Sequence, residues 1–449
     1  MMFPVRNPST GDIIAQVPDQ GAQETSLIIK KAQSAFQSWS RKPPKERGDI
    51  LKKWYQLTLD HVIPLAKILH EEQGKPLSEA EEEIYDGALF FEWSVEEAKR
   101  IHGYTPLSPD PNRRFMTLKQ PIGVVSVITP WNFPSAIPLQ KCLPAIAAGC
   151  TVILKPSEET PLSALEHEKL AKEAGLPEGV FNILTCQNPQ NVSQELLKHP
   201  AIRKLTFTGS TQVGRQLMKE GALTVKKISL ELGGNSPFLV FEDANLDLAV
   251  KKALEMKFYN CGQMCNTINR FLLHDKVYDA FIGKFQEQMA QLSLGPLINE
   301  KAVEKIERLL ANAQAQGATI VGGKREGLFF QPTLLKNVTS QMDLYHEEIF
   351  GPIAPFYRFS TDEEAIQIAN DTEYGLAAYI FTENLRRSYR FSEALEAGSV
   401  GINTTDVYSE LLPFGGWKQS GLGREMGLEN SLNPFLETKS LVIGSLQML

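Results

Sequence analysis

Two successive sets of short apolar runs, separated by amphipathic stretches, constrain the fold of this 449-residue chain more than any other feature. The first set, at 123–129, 151–154, 180–184, 204–207 and 227–230, is rich in Val, Ile and Leu, with roughly 10 to 20 residues of helical pattern between neighbours. Parallel strands need a crossover long enough to hold a helix, so this alternation predicts parallel βαβ units. A second set, at 238–241, 271–274, 353–359, 377–381 and 399–402, repeats the pattern after Leu232-Gly233-Gly234. The paired glycines are the expected domain boundary, because glycine frees the backbone for a crossover.

The flanking segments read differently. Over 22–102, Leu27, Ile28, Ala32, Ala35, Phe36 and Trp39 recur at helical spacing, as do Ile50, Leu51, Trp54, Tyr55 and Leu57. From 103 the text turns to Gly103, Pro106, Pro109 and Pro111, and the turn signal Asp110-Pro111-Asn112 before a strand-like 114–118 predicts a hairpin. The tail at 435–443 reads as one more strand. The longest nearly apolar stretch, 142–154, is broken by Pro144 and Gly149 and is too short for the ~20 residues that span a bilayer, so it is expected in the core. The N-terminus has no apolar h-region, and a cytoplasmic location is expected.

Lys and Arg total 46 against 53 Asp and Glu, a formal charge of −7 without long runs of one sign, which points away from nucleic acid and membrane and toward a small-molecule partner. The five cysteines, Cys142, Cys150, Cys186, Cys261 and Cys265, are odd in number and form no CxxC pair, so neither a disulfide framework nor a metal site is expected.

Several segments carry chemistry. Cys265 ends Asn260-Cys261-Gly262-Gln263-Met264-Cys265, where a Gly-Gln turn can leave a thiol uncovered; Cys261 reads as a buried hydrophobe. Glu231 closes an apolar strand and precedes glycines, at the carboxyl end where ligands gather in open α/β sheets, and could act as a general base. In Pro130-Trp131-Asn132-Phe133-Pro134 two prolines deny helix, so Asn132 is presented rigidly and its amide could donate to a developing oxyanion. Lys155-Pro156-Ser157-Glu158 ends the next strand and could meet sugar hydroxyls. The strand, turn and helix start at Phe207-Thr208-Gly209-Ser210-Thr211-Gln212-Val213-Gly214 form a ready anion site, although the chain has neither a Walker A loop nor a GxGxxG.

Taken in order, these segments resemble the aldehyde dehydrogenase superfamily over nearly the whole chain, together with Glu347-Glu348-Ile349-Phe350-Gly351-Pro352, Pro413-Phe414-Gly415-Gly416 and Ser420-Gly421. Phrases such as 119–125 and 418–425 look most like the succinate-semialdehyde dehydrogenase branch. The resemblance implies an α/β fold with a Rossmann-like NAD(P)-binding domain (1–102 and 122–232), a catalytic domain (233–430) and a small β oligomerisation element (103–121 and 431–449), assembled as a homodimer or homotetramer. It implies oxidation of an aldehyde to an acid through a thiohemiacetal and thioester on Cys265, with Asn132 and the Cys265 N–H holding the oxyanion and Glu231 activating water. Lys141 and Glu425 match positions proposed to move protons. Trp131, Lys155, Ser157, Glu158, Gly209, Ser210, Gly214, Leu232, Glu348 and Phe350 match cofactor-binding positions. NAD is expected over NADP, since a 2′-phosphate would meet the Glu158 carboxylate, an effect that Lys155 softens.

The chain also departs from that branch. Its semialdehyde enzymes typically hold the distal carboxylate with an arginine where this chain has Tyr259, and often with another where it has Gln140; each lost charge-assisted hydrogen bond is worth roughly 1.5 to 3 kcal/mol. Thr267 replaces a cysteine found in some relatives, and the loop before Gly295 is short. The matching substrate positions, Phe133, Ile137, Gln140, Tyr259, Met264, Tyr408 and Phe414, are largely apolar, which favours a neutral medium-chain or aromatic aldehyde over succinate semialdehyde. A catalytically silent binding protein is the reading of another class, and the intact Cys265, Glu231 and Asn132 set argues against it.

Overall fold

A computed structural model describes residues 1–444. Two mixed sheets organise it. The first holds six strands in the order Gly421–Leu422, Lys227–Glu231, Ile202–Thr208, Val124–Ile128, Thr151–Lys155 and Phe181–Ile183, parallel except for the short first one. The second holds seven, in the order Thr319–Val321, Thr333–Lys336, Ile353–Phe359, Ile268–His274, Ser236–Val240, Ala377–Phe381 and Ser399–Ile402, again parallel except at the first pair. The α/β class expected from the alternating runs is the one found.

Four helices, Ala22–Trp39, Pro44–Asp60, Val62–Gln73 and Leu77–Ala98, account for the first helical region. Every residue of the helix Ala136–Ala148 is buried, and it passes through Gly149, at φ +101°, into the buried strand Thr151–Lys155, so the apolar stretch at 142–154 is core. Among the described residues no helix is long and apolar enough to cross a membrane.

The strands of the first sheet set the site. Val124–Ile128 has its successors on one side and Ile202–Thr208 and Lys227–Glu231 on the other, so a crevice opens where the connections diverge, at the carboxyl edge. The loops leaving those strands carry Pro130 to Pro134, Gly209-Ser210 and Glu231.

Some expectations fail locally. Residues 103–113 form no strand, since three prolines remove N–H groups from any ladder there; Arg114–Pro121 pairs instead with the tail strand Leu436–Ile443, antiparallel over eight residue pairs. The expected hairpin is thus a ribbon of distant segments, and residues 445–449 of the expected oligomerisation element lie outside the described residues. The strands Met2–Arg6 and Ile13–Pro18 form an N-terminal hairpin that the reading of the termini missed, although Phe3 and Val5 alternate with exposed neighbours as a half-buried strand requires. Gly233 and Gly234 do not have positive φ. They are glycines because side chains would collide, Gly233 with the Glu348 carboxylate and Gly234 with the Cys265 carbonyl.

Candidate active site

Cys265 ends a loop whose backbone is left-handed at three successive residues, Asn260 (φ +48°), Cys261 (φ +55°) and Gly262 (φ +74°). Each non-glycine residue in that region costs roughly 1–2 kcal/mol, so the loop needs ties. Asn260 N–H donates to Glu79 Oε2 at 2.8 Å, Gln73 Nε2 donates to Asn260 Oδ1 at 2.9 Å, Gln263 N–H donates to Asn260 O at 3.0 Å, and Ile298 N–H donates to Gln263 Oε1 at 3.0 Å. A Cβ at Gly262 would collide with the Gly351 carbonyl. Four of the five cysteines are buried; only Cys265 is partly exposed, and Cys261 packs in the core of the second sheet.

Asn132 is fixed from the same loop. Its Nδ2 donates to Gln263 O at 3.0 Å, leaving its second N–H free of that bond, while its backbone carbonyl accepts from Asn260 Nδ2 (3.0 Å) and Lys75 Nζ (2.9 Å). Lys75, buried and 2.6 Å from Glu83, also sits 4.0 Å over the Phe133 ring; the other Glu83 oxygen accepts from the N–H groups of Ser135 and Ala136. The Lys75–Glu83 pair, which no sequence signal pointed to, therefore holds the loop 130–134 at Asn132 and Phe133 and the backbone that follows it.

Glu231 is 4% exposed, and its Oε1 has no hydrogen-bond partner among the described residues. Burial raises its carboxyl to about 7, against the pull of Lys141. Shelter from water, and then the facing Glu231 carboxylate, push the Cys265 thiol well above its ordinary range.

Two cavities meet here. One of about 280 Å³ is lined by all seven expected substrate residues, Phe133, Ile137, Gln140, Tyr259, Met264, Tyr408 and Phe414, with Cys265 and Glu231 in its wall. Gln140 is not free within it: it accepts from the Tyr408 hydroxyl at 2.5 Å and donates to Glu425 at 2.9 Å. Glu425 in turn takes Lys141 at 2.5 Å and Thr206 at 3.1 Å, so Lys141 and Glu425 stand behind the cavity rather than in it. The other, a cleft of about 440 Å³, is lined by Trp131, Asn132, Gly209, Ser210, Leu232, Glu348 and Phe350, and again by Cys265 and Glu231.

The cleft fits the expected dinucleotide. Ser210 caps the helix Thr211–Gly221, whose leading N–H groups suit a phosphate, and Glu348 Oε1 accepts from Gly234 N–H at 3.0 Å with its other oxygen available to a sugar hydroxyl. The Phe350 ring stands edge-on to Trp131 with centroids 5.4 Å apart. Lys301 and Lys305 also line the cleft and carried no recognisable motif. Lys155, Ser157, Glu158 and Gly214 belong to the same sheet edge but do not line this cleft; Gly214 packs against Leu232, and Lys155 lies 3.4 Å from Glu158. A thiol, a carboxyl raised to about 7 and a rigid amide at the junction of two cavities suit nucleophilic attack on a carbonyl followed by hydrolysis.

The comparisons agree with this chemistry. The profile of the aldehyde dehydrogenase family matches residues 1–441. The succinate-semialdehyde dehydrogenase [NADP(+)] of Escherichia coli (strain K12) is 48% identical, covering 98% of this chain and 94% of that protein. The 3-sulfolactaldehyde dehydrogenase of Pseudomonas putida is 46% identical, over 98% and 93%. The crystal structure of succinate-semialdehyde dehydrogenase from Burkholderia pseudomallei superposes with a TM-score of 0.97 at 47% identity, over 99% and 95%.

Proposed function

The chain belongs to the aldehyde dehydrogenase family, whose members are NAD(P)-dependent oxidoreductases acting on aldehydes, and from that premise we propose how its own side chains oxidise an aldehyde to a carboxylic acid. One observation carries the reading: Cys265, Glu231 and Thr208 form the wall common to the substrate cavity and the nucleotide cleft.

Cys265 Sγ gives up its proton to solvent and adds as the thiolate to the carbonyl carbon, which leaves Glu231 free for the later step. The oxygen is held by the Asn132 N–H that Gln263 does not engage and by the Cys265 backbone N–H. NAD or NADP, when bound along Gly209, Ser210, Glu348 and Phe350, supplies the acceptor for the aldehyde hydride. Glu231 then takes a proton from the water that attacks the thioester, so the product leaves as a free acid. Lys141 and Glu425, paired behind the cavity, assist proton movement from there. Glu158 biases the chain toward NAD, with Lys155 limiting the bias. The ribbon of Arg114–Pro121 and Leu436–Ile443 is the proposed contact of a homodimer or homotetramer.

The aromatic, arginine-free cavity favours an aldehyde without a distal carboxylate. Oxidation of succinate semialdehyde is the second reading, favoured by the 48% identity to an enzyme of that name. The test follows NADH and NADPH formation with hexanal, benzaldehyde and succinate semialdehyde. Turnover is expected with both nucleotides, more efficient with NAD, lost in Cys265→Ser and retained in Cys261→Ala. A kcat/KM for NADP at or above that for NAD refutes the Glu158 bias, and a tenfold preference for succinate semialdehyde selects the second reading.

A further inference from the structure

The substrate cavity carries acids for which oxidation of an aldehyde has no use. Glu82, Glu83 and Asp86, from the helix Leu77–Ala98, line it. A further cavity of about 230 Å³ adjoins it, shares Asp86, Met264, Asn266 and Tyr408 with it and adds Glu410. No lysine or arginine among the described residues lines either cavity.

The acids are not equivalent. Glu83 is neutralised by Lys75 and occupied by two backbone N–H groups. Glu82 accepts one hydrogen bond from the Tyr259 hydroxyl, at 3.2 Å. Partial desolvation, and then the charges of Glu82, Glu83 and Glu410, raise the Asp86 carboxyl to about 6, with Lys75 as the opposing cation. Asp86 thus sits in a net negative field at the rim of a cavity. Glu82 and Asp86 are exposed at the mouth, and at the inner end of the same cavity the buried Glu231 presents an oxygen with no partner, beside the thiol. Tyr259 and Phe133 stack at 6.4 Å along the way, and aromatic faces attract cations as well as apolar chains.

We propose that Glu82, Asp86 and Glu410 select an aldehyde whose far end is a cation, a protonated or quaternary amine. The proposal rests on the reading of Cys265 as an aldehyde-oxidising centre and narrows its substrate class. A carboxylate in the same place would face three like charges with no lysine or arginine in either lining to pair it. An arginine placed at 259 would stand beside Glu79 and Glu82, so adding that cation alone would not restore carboxylate binding.

The experiment compares 4-(trimethylammonio)butanal, its neutral isostere 5,5-dimethylhexanal, and succinate semialdehyde, at a pH where Asp86 is ionised. The expected order of kcat/KM is cation, neutral, anion, with the difference mainly in KM. The cation should lead the neutral isostere by about tenfold, a ratio typical of one partly solvated charge contact. Asp86→Asn and Glu82→Gln should each reduce that ratio, as should added salt. A preference for succinate semialdehyde over the cation, or a cation-to-neutral ratio unmoved in the double variant, overturns the proposal while leaving aldehyde oxidation standing. If none of the three aldehydes reduces the nucleotide, the reading of Cys265 falls and this inference with it.

Discussion

Glu231 begins as an ordinary strand-end carboxylate and finishes in the wall between two cavities, and that change of surroundings decides its chemistry. A carboxyl raised to about 7 by burial is a base only above that pH, so steady turnover should climb as pH rises through about 7. Replacing Glu231 with Gln should remove this limb and lower steady turnover by ~10² or more, while a first burst of NADH survives, as stopped-flow absorbance would show. Loss of the burst as well would mean that taking the proton from Cys265 is the step Glu231 cannot be spared from. Lys141 acts on the same group from behind the cavity: it pulls Glu231 down, so Lys141→Met should move the acid limb to higher pH.

The loop 260–265 and the helix Leu77–Ala98 work as a pair of elements. Glu79 of the helix holds the Asn260 N–H, and Glu83 holds the N–H groups that follow loop 130–134. Gly262 is the position where both needs meet, a positive φ and contact with the Gly351 carbonyl. Gly262→Ala should therefore cost about 2 kcal/mol or more, read as a lower thermal midpoint, and should displace Cys265 enough to reduce turnover beyond what the stability loss explains. Four of the eight acids of the helix, Glu79, Glu82, Glu83 and Asp86, fall at helical spacing on one face. Which of them meets Lys75, which holds a backbone and which faces a cavity depends on the partners that other segments bring.

At the scale of the whole molecule, the ribbon of Arg114–Pro121 and Leu436–Ile443 is two-stranded, with Leu118, Val442 and Ile443 exposed and no further strand on either edge among the described residues. Such a ribbon is marginal alone, and exposed edges invite pairing. Light scattering at micromolar concentration should give a dimer or tetramer mass, and Val442→Lys should shift it toward monomer; a monomeric parent chain would contradict the assignment. The α/β class and the aldehyde dehydrogenase resemblance were determined by the sequence itself, because strand runs, turn glycines and the segments around Cys265, Glu231 and Asn132 are local patterns that survive any packing of their neighbours. The ribbon, the Lys75–Glu83 anchor, the collisions that require Gly233 and Gly234, and the acids along the substrate path were decided only by tertiary structure. Each joins residues from separate segments, and neither a distance nor a desolvated charge exists until the chain brings its partners together.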